Sequence, residues 1–356
     1  MVERARATAL PRLTSLRAFA ALGVFGFHLG RWAIVGVGPF DIGYSGVAFF
    51  FVLSGFILTY TTASSGRPLD LRRFYGRRFA RVYPSHLVML LVAIVVPVVA
   101  VDRTPVAAAG NLLLVQSWFP AGSMHYGMNG VSWSLSCEAF FYALFPLLFL
   151  ILRDAGRRSL LLGLGAVLAT QAAILIGGSL DSSYPDFASV FPPLQLGAFV
   201  LGILVARAAL ADRLLPAWGM AALAAASVVA CVELPTDRPD AAIWLLPLFA
   251  VLIAWAYQAD HRGRPGVLRS RALVYAGEVS FAFYLVHELV IINLRHEHLA
   301  HGWSLALVAL LVSCAAAVTL HHLVERPAQR WLSTLFDVRS TVAWEAPDRQ
   351  AVAAES

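Results

Sequence analysis

LTSLRAFAALGVFGFHLGRW, running from Leu13 to Trp32, decides the fold class. Its length matches the roughly 20 helical residues that cross the hydrocarbon of a bilayer. Yet it carries Arg17 and, eleven positions later, His28. An Arg at the centre of a membrane helix costs roughly 2.5 to 3.5 kcal/mol on insertion scales, so an ionisable residue kept there marks function by default. A second apolar stretch opens Trp133-Ser134-Leu135-Ser136-Cys137-Glu138 and holds a carboxylate inside it. A His and a Glu within membrane helices point to acid–base chemistry in a bilayer.

The rest of the chain agrees with that opening. It is 59% hydrophobic and 13% charged, about half the charged fraction of a soluble domain, which implies an integral membrane protein. Ten apolar stretches approach spanning length: 12–32, 43–62, 82–101, 132–152, 160–177, 191–210, 215–233, 241–258, 272–294 and 303–323. The expected fold is therefore all-α, a bundle of about ten transmembrane helices. The stretch 105–119 is too short and interrupted to span and reads as part of an outer loop.

Arginine placement sets the orientation. An inside amino terminus leaves only Arg31, Arg103, Arg238 and Arg295 on the outer side, so both termini are expected in the cytoplasm. Arg4, Arg6 and Arg12 before an apolar run mimic a signal peptide. Arg17 interrupts that run and no small-residue cleavage site follows, so the reading is an uncleaved first span. Residues 1–328 form the expected transmembrane domain. Residues 329–356 form a cytoplasmic tail, polar apart from Trp331 to Phe336 and expected to be largely disordered.

The 27 basic residues are all arginine. Without lysine there is no P-loop phosphate lysine, no pyridoxal-phosphate Schiff base and no Lys nucleophile. Cys137, Cys231 and Cys314 show no pairing or metal-ligand spacing, so neither disulfides nor a metal site is expected. The net charge of +6 is spread between apolar segments and reads as topology rather than as nucleic-acid binding.

Depth along the spans ranks the polar residues. His28 falls about 6 Å below the outer end of the first span, Glu138 about 9 Å below the same face, and Tyr284 and His287 roughly 10 to 15 Å deep in the ninth. Three separate segments are thus expected to bring ionisable groups to one level of the outer half.

At these positions the chain resembles the membrane acyltransferase-3 family, which includes bacterial O-antigen, exopolysaccharide and macrolide O-acyltransferases. Leu13-Thr14-Ser15-Leu16-Arg17 with His28 is similar to its opening Arg-x10-His motif. Gly43, Gly46-Val47 and Phe50-Phe51-Val52-Leu53-Ser54-Gly55-Phe56 resemble the second-span motif, and Arg78-Phe79-Ala80-Arg81-Val82-Tyr83-Pro84 the Arg-x-x-Arg-x-x-Pro loop. Trp133-Ser134-Leu135-Ser136, Glu138, Phe141-Tyr142 and Pro146 resemble the fourth-span motif. Gly277, Ser280, Tyr284-Leu285 and His287 resemble the ninth, and Glu325-Arg326-Pro327 closes the pattern. Thr14-Ser15 stands where Asp-Gly is usual, and Ala139-Phe140 where Glu-Gln is usual; both departures bear on acceptor recognition.

The resemblance implies a ten-span protein of the bacterial cytoplasmic membrane. It would move an acyl group, acetyl by default, from acyl-coenzyme A to a hydroxyl of a sugar, polysaccharide or small natural product. Acyl-CoA would be a co-substrate, with no permanently bound cofactor. By the same resemblance His28 is the general base, with Arg17 and Glu138 as essential partners.

Neutral imidazole suits deprotonation of an attacking hydroxyl near pH 7. A carboxylate, Glu138, can hold the His tautomer or activate the acceptor directly. Tyr284, Ser136 and backbone amides are candidate oxyanion donors, with Trp133 and His287 as further substrate contacts. Arg72, Arg73, Arg77, Arg78 and Arg81 form a cytoplasmic cluster whose guanidinium forks suit the coenzyme's phosphates.

Each residue also has a plainer reading. Arg17 can snorkel as an anchor, the Arg72–Arg81 run can face lipid headgroups, Trp133 can belong to an aromatic belt and Cys137 can be apolar packing. A different class, a proton-coupled transporter or flippase, would use the buried His and Glu as a relay.

Overall fold

A helix stands at each of the ten apolar stretches in the computed structural model. The structure describes residues 9–32, 34–35, 38–96, 103–153, 156–180, 184–233, 242–297 and 301–337. Arg238 and residues 338–356 of the tail lie outside them. Helices α1 (Pro11–Arg31), α2 (Gly46–Ser64), α3 (Leu71–Val95), α4 (Trp133–Ile151) and α5 (Arg157–Leu180) form the first half. Helices α6 (Pro192–Leu210), α7 (Ala217–Glu233), α8 (Ala242–His261), α9 (Arg271–His296) and α10 (Gly302–Leu320) form the second. Among the described residues there is no strand. In lipid every backbone N–H and C=O must be satisfied within the chain, and helices do this segment by segment.

Eight of these helices are long and apolar enough to cross a membrane. The apolar parts of α5 and α7, Leu161–Ile174 and Ala217–Val232, are shorter. Exposed leucines such as Leu147, Leu150, Leu307 and Leu311 cover the outside of the bundle, the large exposed apolar surface expected of a lipid-facing protein. The chain is a multi-pass membrane protein.

Three segments differ from the sequence expectation. The third span begins at Leu71 rather than 82, so Arg72 to Arg81 is helix and not loop. Asp70 caps it by accepting from Arg73 N at 3.1 Å, and the helix continues through Pro84. Its 25 residues reach about 37 Å, longer than the roughly 30 Å hydrocarbon core, so its arginine-rich start can project into water. The described start of the tail is helical, α10 running through a π-helical turn, His321–Glu325, into α11 (Arg326–Asp337), and the disorder expected of 338–356 lies outside the described residues. Helix α11 packs on α3, with the Phe336 ring over Gly76.

The third difference lies before α4. Residues 103–132 fold into a cap of short helices with buried polar groups. Gln116 donates to the Ser132 carbonyl at 2.8 Å, Ser132 Oγ to Asn111 Oδ1 at 2.6 Å, and Asn129 to the Leu285 carbonyl at 2.9 Å. Helix α4 therefore starts inside the bundle, and Trp133 is a half-buried interior ring against Phe51 rather than an interface anchor.

Close backbone approach fixes the centre. A Cβ on Gly277 of α9 would stand 1.8 Å from the Thr14 carbonyl oxygen of α1, and one on Gly202 of α6 1.9 Å from the Val52 oxygen of α2. Small residues at such crossings let membrane helices meet backbone to backbone. The α1–α9 crossing matters most, because it places His28 beside the second half of α9.

Candidate active site

Arg17 and His28 are eleven residues apart, three helical turns plus about 20°, so they share one face of α1 with about 16 Å between them. Each lines a different cavity on that face. The larger, about 370 Å³, is lined by His28, Arg31, Tyr126, Trp133, Tyr284 and Glu288. The smaller, about 160 Å³, is lined by Arg17, Arg78, Arg81, Glu138, Tyr142 and Tyr284. Val47, Phe51 and Tyr284 border both, so one layer of side chains separates them.

In the larger cavity the backbone dictates the imidazole tautomers. His287 is fully buried, and its Nδ1 faces the carbonyl oxygens of Tyr284 at 2.8 Å and Phe283 at 3.2 Å. Two acceptors there require an N–H, which leaves His287 Nε2 with a lone pair. His28 Nδ1 lies 2.9 Å from the Val24 carbonyl and 3.2 Å from that same Nε2. Both are acceptors, so His28 Nδ1 also carries a proton, and the neutral form of the ring has its lone pair on Nε2. The carboxylate beside that nitrogen is Glu288, at 3.5 Å.

The smaller cavity is a guanidinium cluster balanced by carboxylates. Arg81 pairs with the buried Glu325 at 2.5 Å. Glu325 is held in turn by His321 Nδ1 at 3.0 Å and Gln329 at 3.2 Å across the π-helical turn, a distortion common at functional sites. Arg78 stands near the Tyr142 ring, 6.0 Å from its centroid, and its Nε is buried without a hydrogen bond among the described residues. Tyr142 donates to Glu138 Oε2 at 2.9 Å. Three guanidinium groups against two carboxylates leave a positive balance, suited to an anion with several oxygens.

These contacts sort the residues singled out from sequence. His28 and His287 meet, with Trp133 and Tyr284 on the cavity wall. Glu138 does not join them; it lines the arginine cavity with Arg17. Of the five clustered arginines, Arg78 and Arg81 line that cavity, while Arg72 and Arg77 are exposed and Arg73 is half-buried on other parts of α3.

Ser136 is buried but lines neither cavity, and its Oγ has no partner among the described residues. Tyr284 borders both, but its hydroxyl is bonded to the Val131 carbonyl at 2.9 Å and Ser134 Oγ at 2.9 Å, which commits its proton away from a developing oxyanion. Cys137 is fully buried, donates to the Val190 carbonyl at 3.3 Å and lines neither cavity.

Sequence reasoning missed Glu288 and the His321–Glu325–Arg81 chain. A signal existed for both: a carboxylate inside or at the end of an apolar span is expensive and needs a partner.

A family model described as an acyltransferase domain matches residues 10–322. The acyltransferase MdmB of Streptomyces mycarofaciens is 36% identical over 92% of this chain and 93% of its own length. The O-acetyltransferase OatA of Staphylococcus aureus is 31% identical over 39% of this chain, and the peptidoglycan O-acetyltransferase OatA of Listeria monocytogenes 30% over 49%. Those two matches cover 24% and 30% of the relatives' own lengths. No solved structure matches.

Proposed function

The chain belongs to the acyltransferase family whose domain it matches over most of its length, and from that membership we propose a membrane O-acyltransferase that uses an acyl-coenzyme A. The acceptor is a hydroxyl of a sugar, polysaccharide or small natural product. Acetyl is the preferred acyl group, in line with the names of the O-acetyltransferase relatives. The protein works as a ten-span bundle of the bacterial cytoplasmic membrane with both termini inside.

The observation that carries this reading is the His28 ring, engaged through Nδ1 by the Val24 carbonyl and His287 so that Nε2 is the nitrogen left for a substrate, in a cavity with aromatic and amide walls. The acceptor hydroxyl donates to that nitrogen and attacks the thioester carbonyl as its proton moves. Trp133, which lines the larger cavity, and Tyr284, in the side-chain layer between the two, contact the donor's thioester end. His287 keeps the His28 ring in the productive tautomer. Arg17, Arg78 and Arg81 hold the coenzyme's phosphates, and Glu138 with Tyr142 balances their charge. The 16 Å between Arg17 and His28 is spanned by the extended pantetheine arm. The donor then enters from the arginine side and the acceptor from the other.

Mass spectrometry of secreted and surface metabolites tests the reading, comparing cells with the gene, without it, and with His28→Ala. One acyl mass present only with the intact gene is expected. Uptake of a polar solute with no covalent product would overturn it in favour of a transporter.

A further inference from the structure

Glu288 follows His287 on α9 and is 8% exposed. Its Oε1 lies 3.5 Å from His28 Nε2, and its buried Oε2 receives no hydrogen bond among the described residues. Gly130 makes room for it, since a Cβ there would sit 2.5 Å from Oε2. A buried carboxylate with an unused oxygen is costly unless a partner arrives. Arg31, Tyr44, Tyr126 and Asp186 line the same cavity, and His287 stands behind the His28 ring.

We propose that Glu288 is a positioning residue for acyl transfer, whose carboxylate receives the N–H that His28 acquires on deprotonating the acceptor. This rests on His28 being the base. While His28 is neutral, the Nε2 lone pair and the carboxylate oxygen are both acceptors and gain nothing from each other. As the hydroxyl O–H bond breaks, its proton goes to Nε2 and the pair becomes an ion pair. The acceptor oxygen bonds to the acyl carbon, the C–S bond breaks, and the leaving thiolate takes the proton back from Nε2.

Stabilisation present only while the imidazolium exists raises kcat rather than lowering KM. The arrangement differs from a serine-protease triad, where the carboxylate holds the far nitrogen. Here the Val24 carbonyl and His287 occupy that place.

The test uses membrane vesicles carrying the full chain, labelled acetyl-coenzyme A, and varied amounts of a metabolite extract from cells lacking the gene as acceptor. Glu288→Gln keeps shape without charge. Its apparent kcat falls by roughly 10², its apparent acceptor KM stays within about twofold, and Glu288→Asp recovers part of the rate. Gly130→Ala, which displaces the carboxylate, lowers kcat in the same way at unchanged protein level. Wild-type kcat in Glu288→Gln, or a change confined to acceptor KM, overturns the assignment while leaving His28 as base. Full transfer by His28→Ala overturns both.

Discussion

Gly277→Ala tests whether the α1–α9 crossing sets the reactive geometry. The added Cβ would stand 1.8 Å from the Thr14 oxygen and 2.5 Å from its carbonyl carbon. A close carbon–oxygen contact is about 3.3 Å, so the helices must part by about 1.5 Å at that point. Ten residues further along α9, about 15 Å away, the same helix pair holds His28 at 3.2 Å from His287 and 3.5 Å from Glu288. A separation even partly transmitted along rigid helices breaks the first contact.

Misplacement by about 1 Å costs roughly 10² in rate, and overpacking costs about 1–3 kcal/mol of stability. The assay is acyl transfer in vesicles per mole of inserted protein, with a melting curve in detergent. Gly165→Ala is the control, because nothing lies within 4 Å of its added Cβ, and it should behave as wild type. Wild-type transfer and melting in Gly277→Ala would refute the reasoning, since the helices then need not cross at that glycine.

Arg78→Ala removes a cavity-lining guanidinium and should raise the apparent donor KM by about tenfold or more, the worth of one charged hydrogen bond. Arg72→Ala, on an exposed face of the same helix, should leave it within about twofold. Asp260→Asn breaks the buried pair with Arg12, which also holds the Arg264 and Pro265 carbonyls. Loss of such a pair costs about 3–5 kcal/mol, seen as a lower melting temperature with the rate per folded molecule retained. In the cap, burial pushes the His125 imidazole below its ordinary value, and its Nδ1 donates to the Phe119 carbonyl at 3.1 Å. The unfolded chain then binds the proton first, so this group's stabilisation is present above about pH 6.5 and fades as pH falls below it. His125→Gln should flatten part of that acid loss in melting temperature.

Most helices were legible because an apolar run near 20 residues has few alternatives in a chain with this charge content. The start of α3 was not. Five arginines in ten residues look like a loop to any apolar pattern, yet Asp70 caps them into a helix that outreaches the bilayer. His28 was legible for the opposite reason, as an ionisable residue stranded in an apolar run.

Its pairing with Glu138 was misjudged because depth along a span does not say which cavity a side chain lines, and Glu138 lines the arginine cavity while His28 lines the other. The cap before α4 was not legible, because the buried hydrogen bonds of Asn111, Gln116 and Ser132 that hold it carry no periodic signal. Glu288 was visible in the sequence, adjacent to His287 within the ninth span. Only the fold of α9 against α1 shows which nitrogen it faces.

The central claim is that His28 Nε2 takes the acceptor's proton during transfer from acyl-coenzyme A. It is tested most directly with the purified full chain in lipid nanodiscs, labelled acetyl-coenzyme A and the acceptor extract, comparing wild type with His28→Gln. The account predicts label in the acceptor with wild type, transfer reduced by roughly 10² to 10⁴ in the variant, and the same melting temperature for both. Transfer by a well-folded His28→Gln at the wild-type rate would contradict it.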